Sequence, residues 1–298
     1  MPARTEARFV TAPQRLRVNA NGMTFGVLAW GEPDAPLAML VHGYPDSAWT
    51  WRHLGPHLAR RGWRVIAPFS RGYGPSDLAP DDSYLAAAQS HDIIALHAAL
   101  GGDERAVLIG HDWGAIATYG VTMLRPDCFS KYITLAVPPP RALVKLFGRA
   151  KTLRTGMRQA RLSWYFIYNQ LPLSERGLDR VIPKLWRDWS PGYDAERDLA
   201  FVFEALSGPG RRRAALRYYR NNLQRGLKAM FSIAPKAPVL YLHGEQDGCV
   251  QAEIVSLVPD VLPAGSRYER LPNVGHFLHL EDPERLNGLV DEWIGVPR

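Results

Sequence analysis

The chain has 298 residues, 46% of them apolar and 22% charged, with a formal net charge of +7. That composition excludes a disordered or fibrous chain and suits one large domain, or a core carrying a smaller insertion. Two cysteines, Cys128 and Cys249, exclude a disulfide framework and have no metal-ligand spacing, and no apolar run reaches the roughly 18 residues of a membrane helix.

The chain starts MPARTEARFV, without the apolar stretch of a signal peptide, so a cytoplasmic protein with no membrane span is expected. Short apolar runs then follow at 37–41, 64–67, 106–109, 132–137 and 238–242, with a last strand expected at 268–271. The first five are closed by Gly or Pro: His42-Gly43-Tyr44-Pro45, then Pro68 before Arg71-Gly72-Tyr73-Gly74, then Gly110, then three prolines at 138–140, then His243-Gly244. Runs this short and this apolar predict strands buried on both faces. Helical spacing of apolar residues falls between them, at 85–100, 115–124 and 284–293. Alternating strand and helix predicts an α/β fold, a mostly parallel central sheet flanked by helices. Ligands then bind beyond the carboxyl ends of the strands.

The strand pattern stops between 139 and 232. This segment is rich in Arg, Trp, Tyr and Phe and predicts helices broken at Pro172, Pro183, Pro191 and Gly208-Pro209-Gly210. It is too long for a plain loop. The expected division is a core over 1–138, an inserted helical cap over 139–232, and the rest of the core over 233–298. Charge divides in the same way: residues 140–230 hold 19 Lys and Arg against 7 Asp and Glu, and the remainder 17 against 22. A basic cap is first a solvated surface. No zinc finger, RNP motif or basic zipper accompanies it, so no nucleic-acid partner is expected.

Gly110-His111-Asp112-Trp113-Gly114 ends one predicted strand and opens a helix. That is the setting of the tight turn which exposes a nucleophilic serine in Gly-x-Ser-x-Gly hydrolases, with Asp112 in the serine's place. Alone, Asp112 could simply cap the helix. The chain order argues for more. Asp247 follows the fifth run in Gly244-Glu245-Gln246-Asp247-Gly248, and His276 stands in Val274-Gly275-His276-Phe277 after the last strand. Nucleophile, acid, histidine is the order of a triad on this kind of sheet. His279 is a neighbouring histidine and Glu245 a spare acid.

With these motifs the chain resembles an α/β-hydrolase of the epoxide hydrolase family, over roughly residues 20–295. His-Gly-Tyr-Pro, Arg-Gly-Tyr-Gly, the Asp-Trp pair and the two later segments lie at the family's places. Phe69 and Pro138-Pro139-Pro140 depart from its usual pattern. The resemblance implies two cap tyrosines as acids. Tyr219, before Arg220-Asn221, matches the second, with Tyr218 where the family has Trp. Tyr165, counted back from Pro172, matches the first, and Tyr168 is the alternative and a candidate pocket residue.

An aspartate is already ionised at neutral pH, since its ordinary pKa is near 3.9. It suits displacement at a saturated carbon, leaving an alkyl ester on Asp112. His276, oriented by Asp247, would then activate water. The backbone N–H groups of Trp113 and Tyr44 are the expected oxyanion donors, and the Trp113 ring also lines the pocket. The expected function is hydrolysis of an apolar or aryl epoxide to a vicinal diol, with no metal or organic cofactor. A haloalkane dehalogenase with the same nucleophile and a non-catalytic ligand binder are the alternatives. The sequence is compatible with a homodimer.

Overall fold

A computed structural model describes residues 12–147 and 153–297. The segment MPARTEARFV, read above for its lack of an apolar stretch, lies outside them. Strands β1 (Gln14–Ala20) and β2 (Met23–Trp30) open the fold as an antiparallel hairpin. Its turn is Asn21-Gly22, both at positive φ (48° and 71°). Asn-Gly is the dipeptide that a two-residue hairpin turn favours, because both positions need the left-handed region. The strands expected from the apolar runs begin only at 37, although Asn21-Gly22 signals this hairpin.

Strands β3 (Leu37–Val41), β4 (Arg64–Pro68), β5 (Val107–His111), β6 (Lys131–Leu135), β7 (Val239–Gly244) and β8 (Arg267–Leu271) complete an eight-stranded sheet in the order β1-β2-β4-β3-β5-β6-β7-β8. β2 runs antiparallel to its neighbours, and the pairs from β4 through β8 are parallel. Strands β3, β5 and β7 are buried at every residue, which explains why they read as unbroken apolar runs rather than as alternation. The flanking helices are α1 (Leu54–Arg60), α2 (Ala86–Ala99), α3 (Trp113–Leu124), the short α11 (Leu278–Glu281) and α12 (Pro283–Ile294). Helix α2 packs on α3, and α1 on α12.

Between β6 and β7 the described residues hold only helices: α4 (Pro140–Phe147), α5 (Leu153–Leu162), α6 (Trp164–Gln170), α7 (Leu178–Trp189), α8 (Glu196–Ala205), α9 (Arg211–Gln224) and α10 (Leu227–Ser232), with one 3-10 turn before α7. One expected break fails. Pro183 lies inside α7. An interior proline costs about 3 kcal/mol. Leu178, Ile182, Leu185, Trp186 and Trp189 form a buried stripe on the same helix, and each buried side chain of that size contributes roughly 1.5–3 kcal/mol. Burial therefore outweighs the lost bond, and the helix continues through it.

Helix α9 is anchored to the core loop that precedes α2. Asn221 Oδ1 accepts from the Tyr84 N–H, Asn222 Oδ1 accepts from the Ala86 N–H, and Asn222 Nδ2 donates to the Tyr84 carbonyl. Arg217 pairs with Asp82 at the same place. The string that follows Tyr219 thus fixes where the cap sits.

Candidate active site

The site is assembled at the carboxyl ends of β3, β5, β7 and β8. The chain leaves β5 at His111 and enters α3 at Trp113, so Asp112 makes the whole turn, at φ 53° and ψ −117°. A non-glycine residue is rarely found there and is held by its surroundings. The turn is also crowded. A Cβ on Gly114 would lie 2.1 Å from the Val41 carbonyl oxygen, and one on Gly43 would lie 2.3 Å from Asp112 Oδ1. Glycine at both positions lets the turn meet β3. The Asp112 side chain makes no capping bond to α3, so it is not simply a helix cap.

Its two oxygens face different partners. The Tyr44 backbone N–H donates to Oδ1 at 2.7 Å, and Oδ2 lies 3.7 Å from His276 Nε2. His276 Nδ1 donates to Asp247 Oδ2 at 2.9 Å, and Asp247 Oδ1 accepts from the backbone N–H groups of Cys249 (2.7 Å) and Val250 (2.9 Å). The carboxylate fixes the proton on Nδ1 and leaves Nε2, which has no protein partner, turned to Asp112. The His276 N–H is tied to the Trp189 carbonyl at the end of α7. Trp113 is the first residue of α3, where its N–H is one of the helix's unpaired donors. The structure thus brings Asp112, Asp247, His276, Tyr44 and Trp113 together. His279 lies apart, with Nε2 on Thr50 Oγ1 at 2.5 Å, and Glu245 is exposed.

Burial opposes charge on His276, but the charge of Asp247 and then the contacts to Asp112 outweigh it and push its pKa up to about 10. Burial likewise opposes charge on Asp247, yet the charge and hydrogen bond of His276 hold it below the ordinary range.

Above Asp112 a cavity of about 350 Å³ lies between core and cap. Asp112, Trp113, Tyr165, Tyr219 and Cys249 line it, and most of the remaining wall is apolar, including Ile116, Val137, Leu143, Phe166, Leu223 and Phe231. Ile167 and Leu227 both line it and reach solvent, so they mark its mouth. The Tyr219 ring packs edge-on against Trp113 (5.2 Å), Tyr44 (5.0 Å) and Tyr165 (5.6 Å). Burial, followed for Tyr219 by the Asp112 charge, holds both phenols well above their ordinary pKa, so they stay protonated. Tyr168 is different. Its hydroxyl donates to the Ser174 carbonyl at 2.9 Å and it is not part of the cavity wall. That corrects its expected place in the pocket. Tyr165 and Tyr168 are three residues apart on α6, and the phase of the helix turns the first inward.

The sequence pattern of the alpha/beta hydrolase fold matches residues 36–283. The chain belongs to the α/β-hydrolase fold family. It is 30% identical over 285 residues to the AB hydrolase superfamily protein YfhM of Bacillus subtilis (strain 168), covering 93% of this chain and 96% of that one. It is 27% identical to epoxide hydrolase 4 of Mus musculus, over 92% of this chain and 77% of the relative. The crystal structure of an epoxide hydrolase from Vigna radiata superposes with a TM-score of 0.77 at 27% identity, covering 95% of this chain and 98% of that one. Two of these three relatives, from Mus musculus and Vigna radiata, carry the name epoxide hydrolase.

Several residues around the centre of this α/β-hydrolase were not legible. Cys249 Sγ lies 3.2 Å from the Tyr165 hydroxyl. Gln159, buried on α5, donates to the Cys249 carbonyl and accepts from the Gln251 N–H. Beneath the turn, Asp46 Oδ2 lies 3.8 Å from His111 Nδ1, both buried. Only their nearness to Asp247 or to the two motifs could have flagged Cys249 and Asp46. His42 and Arg71, prominent in the motifs, are structural: His42 bridges the Gly43 carbonyl and the Ser70 N–H, and Arg71 forks onto both oxygens of Asp92.

Proposed function

We propose that this chain hydrolyses an apolar or aryl epoxide to a vicinal diol through a covalent ester on Asp112. The observation that carries the reading is the split between the two oxygens of Asp112: one is held by a backbone donor, while the other faces His276 at the floor of an apolar cavity walled by two protonated phenols.

In the first step Oδ2 attacks a ring carbon and the C–O bond breaks. An alkoxide is a poor leaving group without a proton, and Tyr165 and Tyr219 supply the hydrogen bonds or proton. While Asp112 is charged it helps hold the proton on His276. Esterification removes that charge, so His276 loses one of its two anionic partners and becomes a base. The proton it gives up balances the one taken by the ring oxygen. In the second step His276 takes a proton from water, which attacks Cγ. The oxyanion forms on Oδ1, where the Tyr44 N–H already points and Trp113 can add a second donor. Collapse frees the diol with the original Oδ2 and leaves the water oxygen on Asp112. None of these steps calls for a cofactor.

Incubation with styrene oxide and, separately, with a bromoalkane tests the reading. Diol without bromide is the expected result. Bromide release would favour the dehalogenase, and neither product a binding protein.

A further inference from the structure

The proposed reaction has no use for the thiol of Cys249. Yet Cys249 Sγ, one oxygen of Asp112 and one nitrogen of His276 lie within 4.8 Å of one another. They come from three separate segments, the β7 loop, the turn after β5 and the loop after β8, and meet at the cavity floor. His276 Nε2 is buried, has no partner within hydrogen-bonding distance and points to Asp112 Oδ2 at 3.7 Å.

We propose that Asp112, Cys249 and His276 form a binding site for a zinc-class divalent cation, which reversibly blocks the reaction centre. One sulfur, one imidazole nitrogen and one carboxylate oxygen are a donor set for zinc or cobalt, and the sulfur disfavours magnesium and calcium. Zinc lies about 2.3 Å from sulfur and about 2.0–2.1 Å from nitrogen or oxygen. Ligands at those lengths around a tetrahedral ion sit roughly 3.3–3.6 Å apart, so Asp112 Oδ2 and His276 Nε2, at 3.7 Å, need almost no movement, and the thiol closes in from within 4.8 Å. The supporting bonds are in place as well. Asp247 holds the other nitrogen of His276, as carboxylates do for zinc-bound histidines, and the Tyr44 N–H holds the other oxygen of Asp112. The fourth position opens on the cavity. Binding releases two protons to solvent, one from the thiol and one from Nε2 of His276, and the metal then occupies the lone pairs of Oδ2 and Nε2. The block, though not the binding, rests on the reading of Asp112 as nucleophile and His276 as base.

Cobalt(II) chloride titrated into metal-stripped protein reports the site by absorption. The expected result is one equivalent bound, with a thiolate-to-metal charge-transfer band that zinc chloride abolishes. Cys249→Ala should lose the band and weaken binding by roughly 100-fold or more, and Cys128→Ala should keep it. No such band in the wild type, or unchanged affinity in Cys249→Ala, overturns the proposal. Each protein's own styrene oxide turnover is followed in parallel. Zinc should abolish wild-type turnover and EDTA restore it, with Cys249→Ala far less sensitive. A bound metal that leaves turnover intact overturns the block. Normal cobalt binding to a metal-free protein that makes no diol leaves the site standing and removes the proposed function instead.

Discussion

At the residue scale, the proposed reaction gives the phenols, the carboxylates and the imidazole separable duties, and substitution should separate them. His276→Ala should block the second step while ring opening, its proton now drawn from solvent, still occurs, so a peptide containing Asp112 should gain the mass of one epoxide, read by mass spectrometry within a single turnover. Tyr165→Phe and Tyr219→Phe should each slow ring opening by roughly 10²-fold, the scale of a general acid, and the double change should leave no measurable diol in a steady-state assay. Asp112, Asp247 and His276 stood out in the sequence because each follows an expected strand, and chain order is a one-dimensional property. The tyrosines did not stand out alike. Trp164–Gln170 reads WYFIYNQ, with no polar face to set its rotation, so only the packed helix turns Tyr165 inward and Tyr168 to Ser174. Cys249 reads in the sequence only as a cysteine without metal-ligand spacing, because partners that meet across three loops leave no spacing along the chain.

At the element scale, the β7 loop that carries Asp247 is clasped by the cap. Gln159 on α5 bonds it at two backbone groups, the Cys249 carbonyl (2.8 Å) and the Gln251 N–H (3.0 Å). Gln159→Leu keeps the bulk and removes both bonds. Leaving buried backbone groups unpaired costs about 1–3 kcal/mol each, so the melting temperature should fall and amide exchange over 247–251 should quicken. A variant with unchanged exchange there would show that the loop holds itself. The strands that position the site were readable because they are short, buried and closed by Gly or Pro. The opening hairpin is signalled only by its Asn21-Gly22 turn, and the continuity of α7 is not readable. The first depends on the positive φ of Asn21 and Gly22, and the second on a buried stripe strong enough to carry Pro183.

At the scale of the whole molecule, the basic cap is seated on acidic ground. Arg217 pairs with Asp82, Arg158 with Glu253 and Lys145 with Asp260, each a cap cation on a core acid. The charge step in the sequence is therefore partly spent at the joint between the two units, although exposed pairs of this kind contribute at most about 1 kcal/mol each. Stability also depends on a buried acid. Burial pushes Asp46 up to about 8, whereas an unfolded aspartate ionises near 3.9. Between those values the folded form holds a proton that the unfolded form lacks, so its contribution to stability declines as pH rises across that window. Asp46→Asn should therefore raise the melting temperature, by about 1–3 kcal/mol equivalent at pH 8.5 and by less at pH 5. An equal gain at both would remove burial of charge as the cause. The wall of Ile116, Val137, Leu143, Phe166, Leu223 and Phe231 carries a last consequence. In the proposed reaction it favours an oily guest over a product with two new hydroxyls, whose partners are few, Tyr165, Tyr219 and Asp112 among them, so the chamber's balance tilts toward release past Ile167 and Leu227.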